Sequence, residues 1–444
     1  METNRPIIGP LKVTEIHSSG KGVAVWNEKK YFIPHTLPNE EYMVQTENRR
    51  LGFRTAKIIS IEKQGGVRVQ PQCPYYGLCG GCNFMHIRYE EQLAIKRTIL
   101  ENAFEKYQVP FHEPNTISAD EPFYYRNKAT YQILYKNEVI QIGFHPEWLK
   151  NELIEIKTCL LLRPIINEYF NNISQAIRQF YYESQCADIL SFTIRSNRQN
   201  NVMLIIEIKQ EPSDVILSFF SQLKKTALKS NDAFYYFVKP QNKRIYPHAI
   251  HINDTVPYLF ERILEKTLRI SPFSFFQNNV EITEKILRYL IHTLDFEKIH
   301  TVFDLYSGNG TMSLPLIKDY EMELYAIEGN PSAIDDAIFN SANKENHHHI
   351  LGDVLQTFTK EFVESAPHPN LIILDPPRSG TLIEIQKNII KAKPEFIAYI
   401  SCNPVSLAWN LQQLITDYQI KDVQLFDMFP QTHHFETVVI LEKN

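Results

Sequence analysis

The spacing of apolar residues along this 444-residue chain changes character twice. Over residues 9–63 apolar and polar positions alternate in short runs, which predicts strands at 11–16, 22–26, 30–32, 41–47 and 55–62. Turn-forming stretches such as Ser18-Ser19-Gly20 and Leu37-Pro38-Asn39 divide the runs. Five short strands in this span fit a small OB-like barrel, a common nucleic-acid module, and fit other small β domains equally well. A cysteine-rich loop follows, then a helical period over 89–107, where Leu93, Leu100, Ala103, Phe104 and Tyr107 share a face ahead of Pro110. Residues 120–265 are strand-rich and mixed, with strands predicted at 191–195, 202–209 and 234–238. From about residue 270 strands at 302–305, 323–328, 350–352, 371–374 and 396–400 alternate with helical stretches, as a doubly wound parallel sheet requires. Two last strands, 423–428 and 437–441, are joined by so short a link that they form a hairpin and bring one antiparallel strand into the sheet. His347-His348-His349 reads as a loop in preference to a metal site.

Length and charge add bounds to this picture. The chain is long enough for two or three domains, divided here as 1–63, 64–265 and 266–444. No segment has the apolar length of a membrane helix and the N-terminus carries no secretory pattern, so a soluble cytoplasmic protein is expected. Its net charge of −5 argues weakly against nucleic acid. The first 63 residues reverse the sign, with ten Lys/Arg against seven Asp/Glu and Arg49, Arg50, Arg54 and Lys57 close together. A local basic face can engage phosphates while the rest of a protein is acidic.

The candidate chemistry gathers at predicted strand ends. Asp304-Leu305-Tyr306-Ser307-Gly308-Asn309-Gly310-Thr311 is a glycine loop after a strand, without the third glycine of a dinucleotide fingerprint or the Lys-Ser/Thr of a P-loop. Glu328 ends the next strand, where it could meet ribose hydroxyls, and Asp353 ends the one after, near an adenine edge. Loop and two acids at successive strand ends describe an S-adenosylmethionine pocket. Asp375-Pro376-Pro377-Arg378 closes the fourth strand with Arg378 where an amino-methyltransferase has an aromatic residue, which directs attention to Cys402 after the fifth. Pyrimidine C5 is a poor nucleophile until a thiolate adds to C6, and the C5 proton must then leave to a base. Glu436, at the start of the last strand, lies on the same sheet edge and is the candidate base. Of the other cysteines, Cys73, Cys79 and Cys82 follow C-x5-C-G-G-C, a thiolate set suited to an iron–sulfur cluster or zinc. Cys159 and Cys186 compete for the fourth place.

Taken together these motifs resemble the RNA 5-methyluridine methyltransferases, particularly the iron–sulfur branch acting on 23S ribosomal RNA. The resemblance runs over nearly the whole chain and also rests on Phe275-Phe276-Gln277-Asn278, Ser401-Cys402-Asn403-Pro404 and Phe429-Pro430 with His434-x-Glu436. It implies a Rossmann-like seven-stranded methyltransferase domain, an N-terminal OB-like TRAM barrel and a mixed α+β central domain carrying an iron–sulfur loop. A [4Fe-4S] cluster on Cys73, Cys79, Cys82 and Cys159 is implied, as are S-adenosylmethionine contacts from Gln277, Tyr306, Thr311, Glu328, Asp353 and Asp375. Cys402 matches the family nucleophile and Glu436 its base. The 89–107 helix is expected to pack on the catalytic domain. Ser307 stands where some relatives have Cys, and Phe123-Tyr124-Tyr125-Arg126-Asn127-Lys128 is less arginine-rich than its counterparts, which puts RNA affinity or target choice in question.

The expected activity is methylation of uridine C5 in structured RNA, ribosomal RNA first, by a monomer. Transfer RNA is the nearest alternative; the cysteine loop and the barrel favour ribosomal RNA. Cytosine C5 methylation places its nucleophile in other motifs, and a non-catalytic RNA-binding or ribosome assembly factor would be expected to lose Cys402 or Glu436.

Overall fold

The computed structural model describes residues 5–47, 54–146, 151–242, 246–252, 255–317 and 322–444. Arg49 and Arg50 of the basic cluster lie outside the described residues; Arg54 and Lys57 lie within them. Strands β1 (Ile7–Ile16), β2 (Gly22–Trp26), β3 (Lys29–Ile33), β4 (Glu41–Thr46) and β5 (Arg54–Lys63) close into a barrel in the order β1-β2-β3-β5-β4. Its interior holds Leu11, Val13, Ala24, Ile33, Tyr42, Val44 and Ala56, the inward positions of alternating strands. Ile16 at the end of β1 instead joins the apolar core beneath the C-terminal sheet, beside Leu37 and Phe84.

Helix α1 (Tyr89–Lys106) packs on that same core through Ile99, Leu100, Ala103 and Phe104. Its buried face also contains Gln92 and Lys96, which hydrophobic periodicity passes over. Lys96 is fully buried in an ion pair with Asp427, whose second oxygen accepts from Tyr89 Oη at 2.7 Å. Removing either charge would leave the other buried and uncompensated, a loss of about 3–5 kcal/mol. After α1 the chain adds β6 (Asn115–Ile117) to the C-terminal sheet.

The middle of the chain forms a second sheet from β7 (Lys128–Lys136), β8 (Val139–Phe144), β9 (Ile154–Glu155), β10 (Ile189–Ser196), β11 (Val202–Ile208), β12 (Ala233–Val238) and β13 (Ile250–His251), with α2 (Pro164–Ser184) and α3 (Asp214–Ala227). Tyr131 stacks between Phe144, Phe170 and Phe192 in its core. The expected boundary at 265/266 falls in the turn of a hairpin, β14 (Leu259–Ile263) and β15 (Lys266–Ile270). Leu259, Ile263, Leu268 and Ile270 of this hairpin are buried in an apolar core that residues of the middle sheet and of the C-terminal sheet share.

That last third contains α4 (Val280–Thr293), β16 (Thr301–Leu305), β17 (Glu323–Glu328), α5 (Pro331–Asn340), β18 (His347–Leu351), α6 (Val354–Thr357), α7 (Lys360–Ser365), β19 (Leu371–Leu374), α8 (Ile383–Ala392), β20 (Phe396–Ser401), α9 (Pro404–Leu414), β21 (Tyr418–Phe426) and β22 (Glu436–Lys443). Its sheet runs β18-β17-β16-β19-β20-β22-β21-β6, eight strands where seven were expected, the eighth being β6 from far upstream. Strands β16 and β19 are buried along their whole length, as central parallel strands covered on both faces must be. Antiparallel β22 inserts between β20 and β21, so the β21–β22 hairpin closes at the carboxyl edge. The histidine run is not a loop. It forms most of the edge strand β18, because main-chain pairing with β17 at Leu324↔His347 through Glu328↔Leu351 outweighs the weak strand preference of the run.

Candidate active site

At the carboxyl end of β16 the chain turns through Tyr306 at φ +71°, Gly308 at +55° and Gly310 at +84°. Gly310 is required sterically, since a Cβ there would lie 2.4 Å from Leu314 Cδ1. Glu328 holds the loop: its carboxylate accepts from the amides of Gly308 at 2.9 Å and Asn330 at 2.7 Å. The chain beyond Gly310 runs as irregular turns up to residue 317 and not as the expected helix. Thr311 is buried, with its hydroxyl donating to Asn309 Oδ1 at 2.6 Å. Asp353 is exposed and caps α6 by accepting from the Leu355 amide at 3.0 Å. Burial, and then Asp353, push the Tyr306 hydroxyl up to about 12.

A polar ligand suits this loop. The space above Gly308 is open, and Asp304 Oδ1 and Oδ2, Ser307 Oγ and Ser313 Oγ are buried without a hydrogen-bond partner. Burial pushes Asp304 up to about 7. Because that lies above the unfolded value, folding is penalised at and above neutral pH, and the penalty fades as pH falls into the ordinary carboxylate range.

Three reactive groups meet at the neighbouring strand ends. Asp375 follows β19 and accepts from Gln277 Nε2 at 3.1 Å, while Asn127 Nδ2 holds the Gln277 carbonyl at 2.8 Å. Cys402 follows β20, and Glu436 opens β22. The last registered pair, Ser401↔Thr437, makes Cys402 and Glu436 the next cross-strand neighbours, where antiparallel Cα atoms sit about 4.5–5.5 Å apart. Glu436 is 5% exposed and its Oε2 has no partner. Burial, with Asp375 beside it, pushes Glu436 well above the carboxylate range, and burial pushes Asp375 up to about 7. Burial and then Glu436 raise the Cys402 thiol to about 11, while the Arg378 guanidinium pulls both Cys402 and Glu436 the other way. Arg378 itself is held through its carbonyl by Asn403 Nδ2 at 2.8 Å and Ser406 Oγ at 2.9 Å. A cavity of about 230 Å³ opens over Cys402, with His433 and His434 on its wall. Burial depresses both imidazoles, to about 3 and about 2, so they are neutral.

The link between β21 and β22 is pinned by residues the motifs did not single out. Asn83 bonds His433 twice, from the His433 amide at 2.9 Å and to its Nδ1 at 2.6 Å. Gln92 and Gln431 exchange two bonds at 3.0 Å, and Lys96 donates to the Phe429 carbonyl at 3.1 Å. All three partners come from residues 83–96, some 340 positions away in sequence from the link, so only a structure could reveal them.

Cys73, Cys79, Cys82 and Cys159 line a single cavity of about 470 Å³. Cys186 is elsewhere, packed on the middle core just after α2. Burial raises Cys79, Cys82 and Cys159, and neighbouring thiols raise each further. Among the described residues no group of three or more His, Cys, Asp and Glu side chains converges as ligands of one metal ion. A zinc site draws four thiolates to about 2.3 Å from a point, whereas a four-iron cluster spreads its ligands around a larger body. Four soft donors lining one cavity are chemically suited to the latter.

Known proteins are similar to nearly the whole of this chain. An "Uncharacterized RNA methyltransferase" of Enterococcus faecalis is 30% identical over 452 residues, covering 98% of this chain and 97% of that one. One of Bacteroides thetaiotaomicron is 29% identical over 457 residues, covering 96% and 99%. Among solved structures, a Pyrococcus abyssi tRNA (uracil-54, C5)-methyltransferase in complex with S-adenosyl-L-homocysteine shares the fold with a TM-score of 0.75 at 22% identity, covering 98% of this chain and 100% of that one. Residues 88–444 match the tRNA (uracil-5-)-methyltransferase family, and with the full-length relatives this establishes that the chain belongs to that family of S-adenosylmethionine-dependent RNA methyltransferases.

Proposed function

We propose that this protein forms 5-methyluridine in folded RNA, ribosomal RNA first, by covalent catalysis from Cys402. The observation that carries the reading is that Cys402 and Glu436 stand just beyond the last paired residues of β20 and β22, Ser401 and Thr437, with Glu436 buried and its Oε2 without a partner. The Cys402 thiolate adds to uracil C6, its lone pair forming the C6–S bond, and the displaced C5=C6 π pair makes C5 nucleophilic. Tyr306, Thr311, Glu328, Asp353, Gln277 and Asp375 would hold S-adenosylmethionine, which would supply the methyl group for C5 and leave as S-adenosylhomocysteine. Ionised Glu436 then takes the C5 proton, the C6–S bond breaks and the sulfur is restored. A base whose pKa is raised by burial takes that proton more readily. Arg378 stabilises the thiolate and carboxylate forms this cycle needs.

Cys73, Cys79, Cys82 and Cys159 would hold a [4Fe-4S] cluster tying the loop to the segment before α2. The barrel is read as a TRAM domain, with Arg54 and Lys57 on β5 serving RNA phosphates. A cytoplasmic location and a monomeric state belong to the same proposal. No described helix is long and apolar enough to cross a membrane. Transfer RNA is the second reading, favoured by the Pyrococcus abyssi relative: a transfer-RNA enzyme that matches nearly the whole chain weakens the use of barrel and loop as marks of ribosomal RNA.

Mapping 5-methyluridine in RNA from a strain lacking this protein tests the reading. Loss of the mark from ribosomal RNA is expected; loss from transfer RNA alone transfers the proposal to the second reading, and no loss in either overturns both. Purified without oxygen, the chain is expected to carry about four irons, lost in Cys159→Ser and kept in Cys186→Ser; an iron-free wild type would remove the cluster.

A further inference from the structure

The cavity over Cys402 has one wall that the C-terminal part of the chain does not supply. Ser18 and Ser19, in the turn between β1 and β2, line it together with Cys402, Arg378 and His434. The turn is rigid: the Gly20 amide donates to the His17 carbonyl and the His17 amide to the Lys21 carbonyl, each at 2.8 Å. Ser19 is bound through its amide and hydroxyl to His17 Nδ1 at 3.2 and 3.0 Å. Ser18 is half-buried, and its hydroxyl makes no hydrogen bond within the described residues. Gly20, at φ +74°, is where the barrel touches the β21–β22 link. A Cβ there would lie 2.5 Å from Asn83 Nδ2 and 2.7 Å from His433 Cβ. Ile16, buried in the core of the C-terminal sheet, anchors the strand leading into the turn. The turn is therefore part of the site's frame.

Resting on the uracil-C5 reading above, we propose that the Ser18–Gly20 turn is the third wall of the nucleotide pocket and positions the extruded uridine over Cys402. On this account the barrel acts in the chemical step as well as in RNA capture. Attack at C6 fixes which face of the ring meets the sulfur, and a ring without backing on its other face would not hold that pose. A nucleotide that leaves its stack loses a few kcal/mol, which contacts inside the pocket must recover. The free Ser18 hydroxyl can both donate and accept toward a nucleotide, and Ser18 lines the same cavity as Cys402.

The test uses the full chain and bulk ribosomal and transfer RNA from a strain lacking the protein. Gly20→Ala must move the turn by about 1 Å to reach ordinary contact, and a displacement of that size at a reacting centre costs about 100-fold in rate. Ser18→Val narrows the cavity at a position that already carries a Cβ, and so answers if Gly20→Ala fails to fold. For each variant with unchanged thermal unfolding, kcat is expected to fall about 10- to 100-fold with KM for RNA nearly unaltered. Trapping on 5-fluorouridine-substituted RNA, which cannot release its adduct by loss of a C5 proton, is expected to slow in parallel. Arg54→Ala with Lys57→Ala should instead raise KM. Wild-type turnover on this RNA with unimpaired kcat and trapping in both variants overturns this inference alone; no wild-type turnover overturns the parent reading and the inference with it.

Discussion

Cys402→Ala is expected to leave S-adenosylmethionine binding intact and to reduce methyl transfer by at least about 10⁴-fold, the scale of losing a nucleophile. The variant removes one sulfur from a half-buried position and changes nothing in the glycine loop, which is held from β17 by Glu328. Cofactor affinity from calorimetry and tritium release from C5-labelled RNA separate the two functions. Full turnover by the variant would refute covalent catalysis. Wild-type adduct formation should also rise with pH between 7 and 9, because the thiol, raised to about 11 by burial and Glu436, gains about tenfold in thiolate for each pH unit below its pKa. A flat profile in that range would mean that bound RNA ionises the sulfur before attack.

Glu436→Gln is expected to stall the reaction after methyl transfer, so that one methylated RNA stays bonded to each chain. The amide fills the same buried position beside Cys402 but accepts no proton, and loss of a general base lowers turnover about 10²- to 10⁴-fold. A denaturing gel of the variant with methyl-labelled RNA should show a shifted, labelled band and a burst near one methyl per chain. Normal product release would take Glu436 out of the role. The pair of variants discriminates order: Cys402→Ala forms no such band, and combining it with Glu436→Gln removes the band.

The candidate reactive groups were visible in the chain from their places beside predicted strands. Cys402 after 396–400 and Asp375 after 371–374 needed no contacts to place them, and the short link before Glu436 gave the direction of the last strand. The same reasoning failed where local preference and tertiary pairing disagree. His347–His349 has little intrinsic preference for a strand, yet β17 offers it a row of main-chain partners. Asn115–Ile117 is too short to carry a period, and it becomes a strand because β21 has a free edge. Lys96 and Gln92 are polar, and they face inward because Asp427 and Gln431 wait there.

Sequence alone determined that a thiol, acids and a glycine loop stand at strand ends, since these are properties of local pattern. Tertiary structure decided what surrounds them. It chose Cys159 over Cys186 as the fourth thiol at the cysteine cavity, set Arg378 beside Cys402, and brought Asn83 and the Ser18–Gly20 turn to a link more than 300 residues away. The physical reason is that side-chain period is written in near neighbours, whereas the closure of a pocket depends on which distant surfaces bury each other's apolar and polar groups together.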